Sequence, residues 1–297
     1  MNNFLTKENC TRMTEGDPKK VLLAALHTGL GTAIHALPAI SVLISEDYEV
    51  TVNCKEFQRP IYEAIGCKTM TIREPFGLSW KITHGNDFGR IVSLHAWDLW
   101  DLRMFGENRT GTMESFAAIL GVELPESFSW VENVQSIVQN DYILFAPYSL
   151  EKWRSLPKEV ADEIEQSLQH FGKVIRINGD ECKTWQELRD LIFNASHVVA
   201  VEGGVLNVAG ALGKKMLALI GMTEIDSTIE QYRKYIPELE YRSVQGFQPE
   251  GCSMPCMRRK DRGFINDKCL GKNELPECLS KIDISKVVEE FSLLIGE

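Results

Sequence analysis

The sequence predicts an α/β protein with two domains, each built on a parallel sheet that is covered by helices. Short, uninterrupted apolar runs alternate with segments of helical apolar spacing, in one series that begins near Lys20 and a second that begins near Tyr142. Parallel strands are buried on both faces, so each is expected to be a continuous apolar run. The length of 297 residues also fits two domains of ordinary size.

The first series contains three predicted strands and three predicted helices. The strands are expected at residues 21–26, 48–53 and 91–95. The helices are expected at residues 32–44, 57–65 and 113–120. Gly121 follows the last of these helices, as a glycine often does at a helix C-terminus.

The second series contains four strands and four helices. The strands are expected at residues 142–146, 173–178, 197–201 and 216–220, and the helices at 156–171, 184–193, 205–212 and 282–295. We therefore assign residues 1–138 to a first domain and 139–281 to a second. The terminal helix, residues 282–297, is expected to pack back on the first domain. Because open α/β sheets bind ligands at the carboxyl ends of their strands, the loops after the strands are expected to carry the site.

Composition and charge narrow the class of protein. Hydrophobic residues make up 44% of the chain and charged residues 25%, which excludes a disordered chain, a collagen-like fibre and a small disulfide-stapled scaffold. The net charge of −10 argues against a protein that binds nucleic acid or anionic lipid through bulk charge. Without a long apolar run or the apolar core of a signal peptide, the chain is expected to be cytoplasmic and to lack a transmembrane segment.

A glycine-containing loop follows the first strand. Gly29, Gly31 and Thr32 stand where a buried strand turns into a helix, so the backbone could approach a ligand closely and the first helical N–H groups could bind an anion. The third glycine of G-x-G-x-x-G is replaced by Ile34, and the lysine of a phosphate-binding P-loop is missing. A tight turn that needs small residues is the alternative interpretation.

A more informative pattern follows the strand at 197–201. Glu202 could accept hydrogen bonds from sugar hydroxyls, while the amides of Gly203 and Gly204 stand at a helix N-terminus, which favours a diphosphate. Hydroxyls beside a diphosphate describe a nucleotide-sugar. The alternative is a Gly-Gly turn in which Glu202 only supplies negative charge to the helix N-terminus.

The same segment resembles a known family. Glu202 to Thr223, EGGVLNVAGALGKKMLALIGMT, is similar to the motif of glycosyltransferase family 9, the ADP-heptose:lipopolysaccharide heptosyltransferases: Asp-Thr-Gly, two residues, His, then Ala-Ala-Leu-Gly, an apolar strand and Gly-Pro-Thr. Residues 31–39, GTAIHALPA, resemble the family's Gly-Asp-x-x-His-x-Leu-Pro-Ala. Residues 146–157, APYSLEKWRSLP, and 278–282, CLSKI, resemble its phosphate-contacting loop with Lys-x-Trp-Pro and its closing Cys-Met-x-x-Ile.

The resemblance implies a GT-B-like architecture, in which two Rossmann-like domains face a central cleft. The first would bind the acceptor and the second the nucleotide-diphosphate sugar, for an inverting and metal-independent transfer to an acceptor hydroxyl. The residues that it assigns to the donor are Ser149, Lys152, Glu202, Gly203, Gly204, Asn207 and Thr223. Those that it assigns to an acceptor or phosphate loop in the first domain are Gly29, Gly31 and Thr32.

Two departures from the family pattern affect the chemistry. Thr32 replaces the aspartate thought to deprotonate the acceptor, and a neutral threonine is no general base at pH 7. Asn207 replaces the helix histidine. We therefore expect His35, one helical turn beyond Thr32, or else Asp98 or Asp101 to act as the base. A histidine on an apolar helix is also often structural.

Four cysteines are concentrated near the C-terminus. Cys252, Cys256, Cys269 and Cys278 could supply four thiolates to a structural Zn or Fe ion, as in relatives that glycosylate proteins and carry a cysteine-ligated metal finger. Their spacing differs from the usual C-x₂-C pairs, so disulfides or unmodified thiols remain the alternatives. No cofactor is expected to be needed for catalysis.

Several functions remain open from the sequence. Asn207, and Glu202 in place of the family's aspartate, favour a sugar other than heptose. The acceptor could be a glycan such as lipopolysaccharide core, a protein, or a hydroxylated base in DNA. Because Thr32 is no general base, a non-catalytic nucleotide-sugar-binding or regulatory protein is the main alternative. A nucleotide-sugar epimerase of similar architecture is a further one.

Overall fold

The computed structural model describes residues 11–25, 29–71, 87–94, 112–130, 141–150, 154–178, 181–221, 229–248 and 277–296. The chain divides into two compact units, Met1–Phe128 and Ser129–Glu297. The boundary that the sequence predicted, between residues 138 and 139, lies outside the described residues.

The first unit is built on a five-stranded sheet. Its strands are β1 (Thr11–Met13), β2 (Asp17–Ala24), β3 (Glu49–Asn53), β4 (Lys68–Met70) and β5 (Phe88–Ser93), in the order β1-β5-β2-β3-β4. Four strands are parallel, and β1 pairs antiparallel with β5 at one edge. The helices are α1 (Leu30–Ser45), α2 (Arg59–Glu63) and α3 (Thr112–Leu120), and α1 packs against α3.

The central strand of this sheet shows why the apolar run forms it. Val21, Leu22 and Leu23 are completely buried, because neighbouring strands flank β2 on both edges and helices cover the sheet. Helix α1 begins directly beyond this strand. It therefore presents its first turn at the carboxyl edge of the sheet.

The second unit is built on a five-stranded sheet that is entirely parallel. Its strands are β6 (Tyr142–Ala146), β7 (Lys173–Arg176), β8 (His197–Val201), β9 (Met216–Ile220) and β10 (Tyr241–Gln245), in the order β10-β9-β8-β6-β7. The helices are α4 (Lys158–Leu168), α5 (Trp185–Asn194), α6 (Gly204–Ala211), α7 (Glu277–Ser280) and α8 (Ile284–Ile295). No helix among the described ranges is long and apolar enough to span a bilayer.

The predicted elements are present, and the structure adds three short strands. The strands β6, β8 and β9 have the predicted bounds. The added strands β1, β4 and β10 were not predicted, because they are short or lie at sheet edges and lack a continuous apolar run.

The terminal helix α8 contributes to the core of the second unit, and its predicted packing on the first domain stays a prediction. Its side chains at Val287, Phe291 and Leu294 are buried in the core of the second unit. The helix packs against β10, β9 and α4. The spacing of four and three residues places these three side chains on one face, which covers the sheet of its own unit.

Candidate functional site

Two loops at the carboxyl ends of neighbouring strands form the candidate site. β6 and β8 pair in parallel with Ala146 opposite Ala200, so the segments that follow them begin side by side. A methyl group added at Gly203 would lie 3.4 Å from Oγ of Ser149. The structure therefore brings together Ser149 and the turn Glu202–Gly204, which were predicted as donor-binding residues.

Hydrogen bonds within the loop after β6 hold its two ends together. The amide of Leu156 donates to the carbonyl of Pro147 at 3.0 Å. The amide of Ser149 donates to Oγ of Ser155 at 3.0 Å, and that hydroxyl donates to the carbonyl of Ser149 at 3.3 Å. Because Ser155 is buried and fixed in this way, the side chain of its neighbour Arg154 is held next to the turn after β8.

Arg154 forms an ion pair with the carboxylate of Glu202. Nη1 of Arg154 lies 3.6 Å from Oε1 of Glu202, and Glu202 is only 7% exposed. The second carboxylate oxygen, Oε2, is buried without a hydrogen-bond partner, as is Nε of Arg154, within the part of the chain that the structure describes. A buried carboxylate is costly unless it is paired and hydrogen-bonded, so the described residues leave the hydrogen bonding of Oε2 incomplete.

The turn after β8 ends in a helix start without a side-chain cap. Helix α6 begins at Gly204 after the N-cap residue Gly203, which has an extended backbone and no side chain to accept the first N–H groups. No acidic residue stands in the first turn of this helix. The first N–H groups of a helix have no partner within it, and together with the helix dipole they attract an anion such as a diphosphate.

Asn207 makes its contacts within the protein. Its Nδ2 donates to the carbonyl of Gly203 at 2.8 Å, and its Oδ1 accepts from the hydroxyl of Tyr232 at 3.4 Å. Burial raises the pKa of Tyr232 well above its ordinary value, so that hydroxyl stays a donor. The ring of Tyr232 packs edge-on against Trp130 at 5.3 Å. The amide of Asn207 therefore helps to position the turn at Gly203, and its predicted contact with the donor stays a prediction.

The predicted residues of the first unit lie at the start of α1. Gly29 is the N-cap residue of α1 and supplies no side-chain cap, and no atom of the described residues lies within 4 Å of the position of an added Cβ. Gly31 and Thr32 stand in the first turn and are half-buried. His35 is only 4% exposed. The other two candidate bases, Asp98 and Asp101, lie outside the described residues.

Several other predicted site residues also lie outside the described ranges. These are Lys152, Thr223, Cys252, Cys256 and Cys269. The fourth cysteine of the predicted metal site, Cys278, lies in α7 and is buried in the apolar core of the second unit. Over the described ranges no three potential metal-ligating side chains come together. Because three of the four cysteines lie outside those ranges, the metal site stays a prediction.

Arg154 was missed as a site residue by the sequence prediction, which chose Lys152 as the cation for the phosphates. A signal was present, because Arg154 lies in the same basic stretch, Lys152-Trp153-Arg154, after a predicted strand. Its pairing with Glu202 depends on β6 lying next to β8. That neighbourhood is a property of the sheet order.

Comparisons with known proteins identify structural neighbours only. No family model matches the sequence, and no curated protein matches it significantly. The fold is similar to that of the iron-containing dodecameric glycosyltransferase TibC from enterotoxigenic E. coli H10407, with 15% identity, a TM-score of 0.65 and coverage of 95% of this chain and 77% of TibC.

Two further structures resemble the chain over nearly their whole length. The glycosyl transferase family 9 protein from Veillonella parvula DSM 2008 has 12% identity and a TM-score of 0.56, with coverage of 95% of this chain and 99% of that protein. E. coli ADP-heptose lipopolysaccharide heptosyltransferase II has 14% identity and a TM-score of 0.54, with coverage of 93% and 98%. The chain thus has the two-unit, GT-B-type α/β fold of these glycosyltransferases, and the resemblance seen in its motifs is confirmed at the level of the fold.

Proposed function

We propose that this protein is a glycosyltransferase that moves a sugar from a nucleotide-diphosphate sugar to an acceptor hydroxyl. One observation carries the proposal: Oε2 of Glu202 is buried without a partner among the described residues, directly before a helix start that has no side-chain cap. A sugar hydroxyl would satisfy the carboxylate, and a diphosphate would satisfy the helix N–H groups. The similarity in fold to TibC and to heptosyltransferase II supports this assignment.

The donor is held by the second unit in this proposal. Glu202 accepts hydrogen bonds from the sugar, and the amides of Gly203 and Gly204 bind the diphosphate. Ser149 lies beside Gly203 and borders the same space. From the motif resemblance, Lys152 contacts the phosphates and Thr223 lies near the nucleotide.

The reaction forms one bond and breaks another at the anomeric carbon of the sugar. The acceptor oxygen attacks this carbon, the bond to the diphosphate oxygen breaks, and the configuration inverts. The acceptor proton passes to a general base, and the departing diphosphate keeps the electron pair and is stabilised by the dipole and N–H groups of α6. No metal ion is required in this scheme, because the helix start and basic side chains offset the developing charge.

The acceptor is assigned to the first unit, at the loop that contains Gly29, Gly31 and Thr32. His35, Asp98 and Asp101 are the candidate bases. Only 4% of His35 is exposed, which favours the two aspartates. A glycan or a protein side chain is favoured over a hydroxylated DNA base, because the net charge of −10 opposes binding to a phosphate backbone.

A nucleotide-sugar-binding protein without turnover is the second candidate. It is favoured by Thr32, which occupies the position of the family's catalytic aspartate and does not take up a proton at pH 7. Both candidates require the same donor site.

A thermal-shift panel of nucleotide-sugars and the matching free sugars tests the donor site. A ligand at 100 times its dissociation constant raises the free energy of unfolding by about 2.7 kcal/mol. We expect one nucleotide-sugar to stabilise the protein, and Glu202→Gln to reduce this effect. Glu290→Gln is the matched control, since Glu290 pairs with Arg242, which lies near the amino end of β10.

Incubation with the stabilising nucleotide-sugar then separates the candidate functions. Release of nucleoside diphosphate, as the sugar passes to water or to an added acceptor, identifies the transferase. A donor that binds and stays intact identifies the binding protein. Conversion of the donor alone to an isomerised sugar with release of nucleoside diphosphate identifies an epimerase, so the released sugar is analysed in the same samples. If no nucleotide-sugar in the panel stabilises the protein, the proposed function is wrong.

A further inference from the structure

A cavity of about 350 Å³ lies at the amino ends of β8 and β9, on the edge of the second sheet opposite the candidate donor site. The described residues that line it are Ser196, His197, Gly213, Lys214, Lys215 and Ile295. His197 is the first residue of β8 and Glu202 follows the last, so roughly 16 Å of strand separates the cavity from Glu202. The cavity is therefore a separate candidate site.

The charges around the imidazole of His197 are mainly positive. Burial and the charges of Lys215 and Lys214 lower the pKa of His197 below its ordinary value. Glu240 acts in the opposite direction, with a smaller effect than either lysine. Because the two ammonium groups outweigh the carboxylate at this ring, the cavity favours an anion.

Lys214 is a half-buried cation that has no carboxylate partner among the described residues. Burial lowers the pKa of its ammonium, because removal from water disfavours the charged form. Its Nζ donates to the carbonyl of Phe193 at 2.9 Å, which takes one of the three N–H donors of the ammonium. Lys214 therefore has both charge and donors with which to bind an anion.

The ends of two helices, α5 and α6, lie at this edge of the sheet, and their partial negative charge would oppose an anion. Hydrogen bonds occupy carbonyls at both ends. The ammonium of Lys214 caps Phe193 near the end of α5. Near the end of α6, the carbonyls of Ala209 and Gly210 accept from the amides of Lys214 and Gly213 at 3.0 and 3.1 Å. The full charges of the lysines thus meet a ligand beside carbonyls that already have partners.

Lys215 is the second cation of the cavity. Its Nζ lies 2.8 Å from Oε2 of Glu240, and both side chains are about half exposed. Exposed ion pairs of this kind contribute little to stability. The ammonium of Lys215 can therefore turn from Glu240 to a ligand at small cost.

We propose that this cavity binds a small phosphomonoester, with Lys214 and Lys215 on the phosphate and His197 beside it. A phosphomonoester carries roughly −1.5 to −2 charges at pH 7, which matches two ammonium groups. Lysine binds phosphate well as a point charge. The volume falls in the range of about 300–1,000 Å³ that small organic ligands occupy, so an organic group fits beside the apolar side chain of Ile295.

Proton NMR of the histidine rings tests this site in the full chain. Glycerol 2-phosphate is added at pH 7 and constant ionic strength, so that general screening does not change. The resonance lost in His197→Gln identifies His197. A bound dianion raises the pKa of His197, so we expect this resonance to move toward that of imidazolium and to saturate below about 10 mM.

Substitution of the lysines localises the response. Lys215→Met should weaken binding about tenfold, the lower end for a charge-assisted hydrogen bond, because Lys215 is half exposed. Lys214→Met should have at least as large an effect, and Lys215→Met carries the test if that variant does not fold. Lys281→Met is the matched control: Lys281 also pairs with a glutamate, but it lies over Phe247, beyond the carboxyl end of β10. It should leave the affinity unchanged.

The remaining outcomes would overturn the inference. A resonance of His197 that does not saturate, or equal affinity in Lys215→Met and the unmodified chain, shows that the cavity is no phosphate site. A saturating response to sodium acetate at the same concentrations shows that it does not select phosphate. The readout is local to His197, so these results do not depend on the proposed donor site, and failure of either proposal leaves the other standing.

Discussion

Buried polar side chains at the ends of β6 and β8 differ in how the protein satisfies them. Ser155 and Asn207 find their partners within the protein, and both hold backbone in place. Glu202 is equally buried, yet Oε2 has no partner among the described residues. A protein tolerates such an atom where a ligand supplies the missing hydrogen bond. The contrast separates residues that shape the site from a residue that contacts the donor in the proposed function.

Asn207→Ala tests whether Asn207 shapes the site by holding the turn at Gly203. The substitution removes one hydrogen bond to the Gly203 carbonyl and one from the Tyr232 hydroxyl. We expect the free energy of unfolding to fall by about 1–3 kcal/mol, measured by urea denaturation, because two side-chain hydrogen bonds are lost. The affinity for the nucleoside diphosphate that binds best should fall as well, because the turn at Gly203 loses its restraint.

Asn194→Ala is the control for Asn207→Ala. Asn194 is also a buried helix asparagine, and its Nδ2 donates to the carbonyl of Asp190 at 2.7 Å. It stands at the end of α5, before the amino end of β8. The control variant should lose stability while keeping its nucleotide affinity. Equal losses of affinity in both variants would contradict a local role for Asn207.

Four of the described helices show two contrasting kinds of helix start. Helices α5 and α8 start with side-chain caps, from Thr184 and Asp283 respectively. Helices α1 and α6 start after Gly29 and Gly203, which supply no cap. Side-chain caps satisfy the first N–H groups, whereas glycine starts leave them available to a ligand. The two helices that begin after a glycine, α1 and α6, follow the two loops that the sequence predicted to bind a ligand.

The capped start of α5 gives a prediction about pH. Thr184 and Glu187 form a reciprocal capping box, and backbone hydrogen bonds from Lys183 and Thr184 lower the pKa of Glu187 below its usual value. A lowered pKa means that the stabilisation is complete above the unfolded-state pKa, near 4.5, and is lost as the pH falls through the folded-state pKa. Glu187→Gln should therefore reduce stability at pH 7 and have less effect in acid.

Urea denaturation between pH 7 and pH 3 measures this dependence. Thr184→Ala should lower the free energy of unfolding by roughly 0.5–2 kcal/mol, the usual effect of losing an N-cap side chain. Glu289→Gln changes an exposed glutamate of α8 and is the control. If Glu187→Gln and Glu289→Gln show the same pH dependence, the capping interaction does not contribute as predicted.

At the scale of the whole molecule, the sequence predicts those features that depend only on residues close together in the chain. β6, β8 and β9 are recognisable because their side chains, apart from the half-buried His197, are buried. The pattern of β10, Tyr-Arg-Ser-Val-Gln, is that of a half-exposed edge strand. The turn Glu202–Gly204 is recognisable because its residues are consecutive in the sequence and directly follow β8. The pairing of Arg154 with Glu202 is different, because it requires β6 and β8 to be neighbours in the sheet.

The two units contain separate cores, and their cysteines can report on each core. In the first unit, burial raises the pKa of the thiols of Cys54 and Cys67 to about 12. In the second unit, Cys182 is half-buried, and burial together with Glu187 and Glu181 raises its pKa. Alkylation requires the thiolate, so both the raised pKa and the burial protect Cys54 and Cys67 in the folded first unit.

We expect Cys54 and Cys67 to react with iodoacetamide at pH 8 roughly 1,000-fold more slowly in the folded protein than in the unfolded chain, because less thiolate is present. Peptide mass spectrometry of timed samples measures each cysteine separately, with Cys182 as the faster internal comparison.

Because the pKa of both thiols is raised, their stabilising contribution is complete below the unfolded-state pKa near 9 and is lost as the pH rises toward 12. Labelling in graded urea then follows the opening of each unit. Native rates for Cys54 and Cys67 that equal the rate for Cys182 would show that the first core opens far more readily than its buried strands imply.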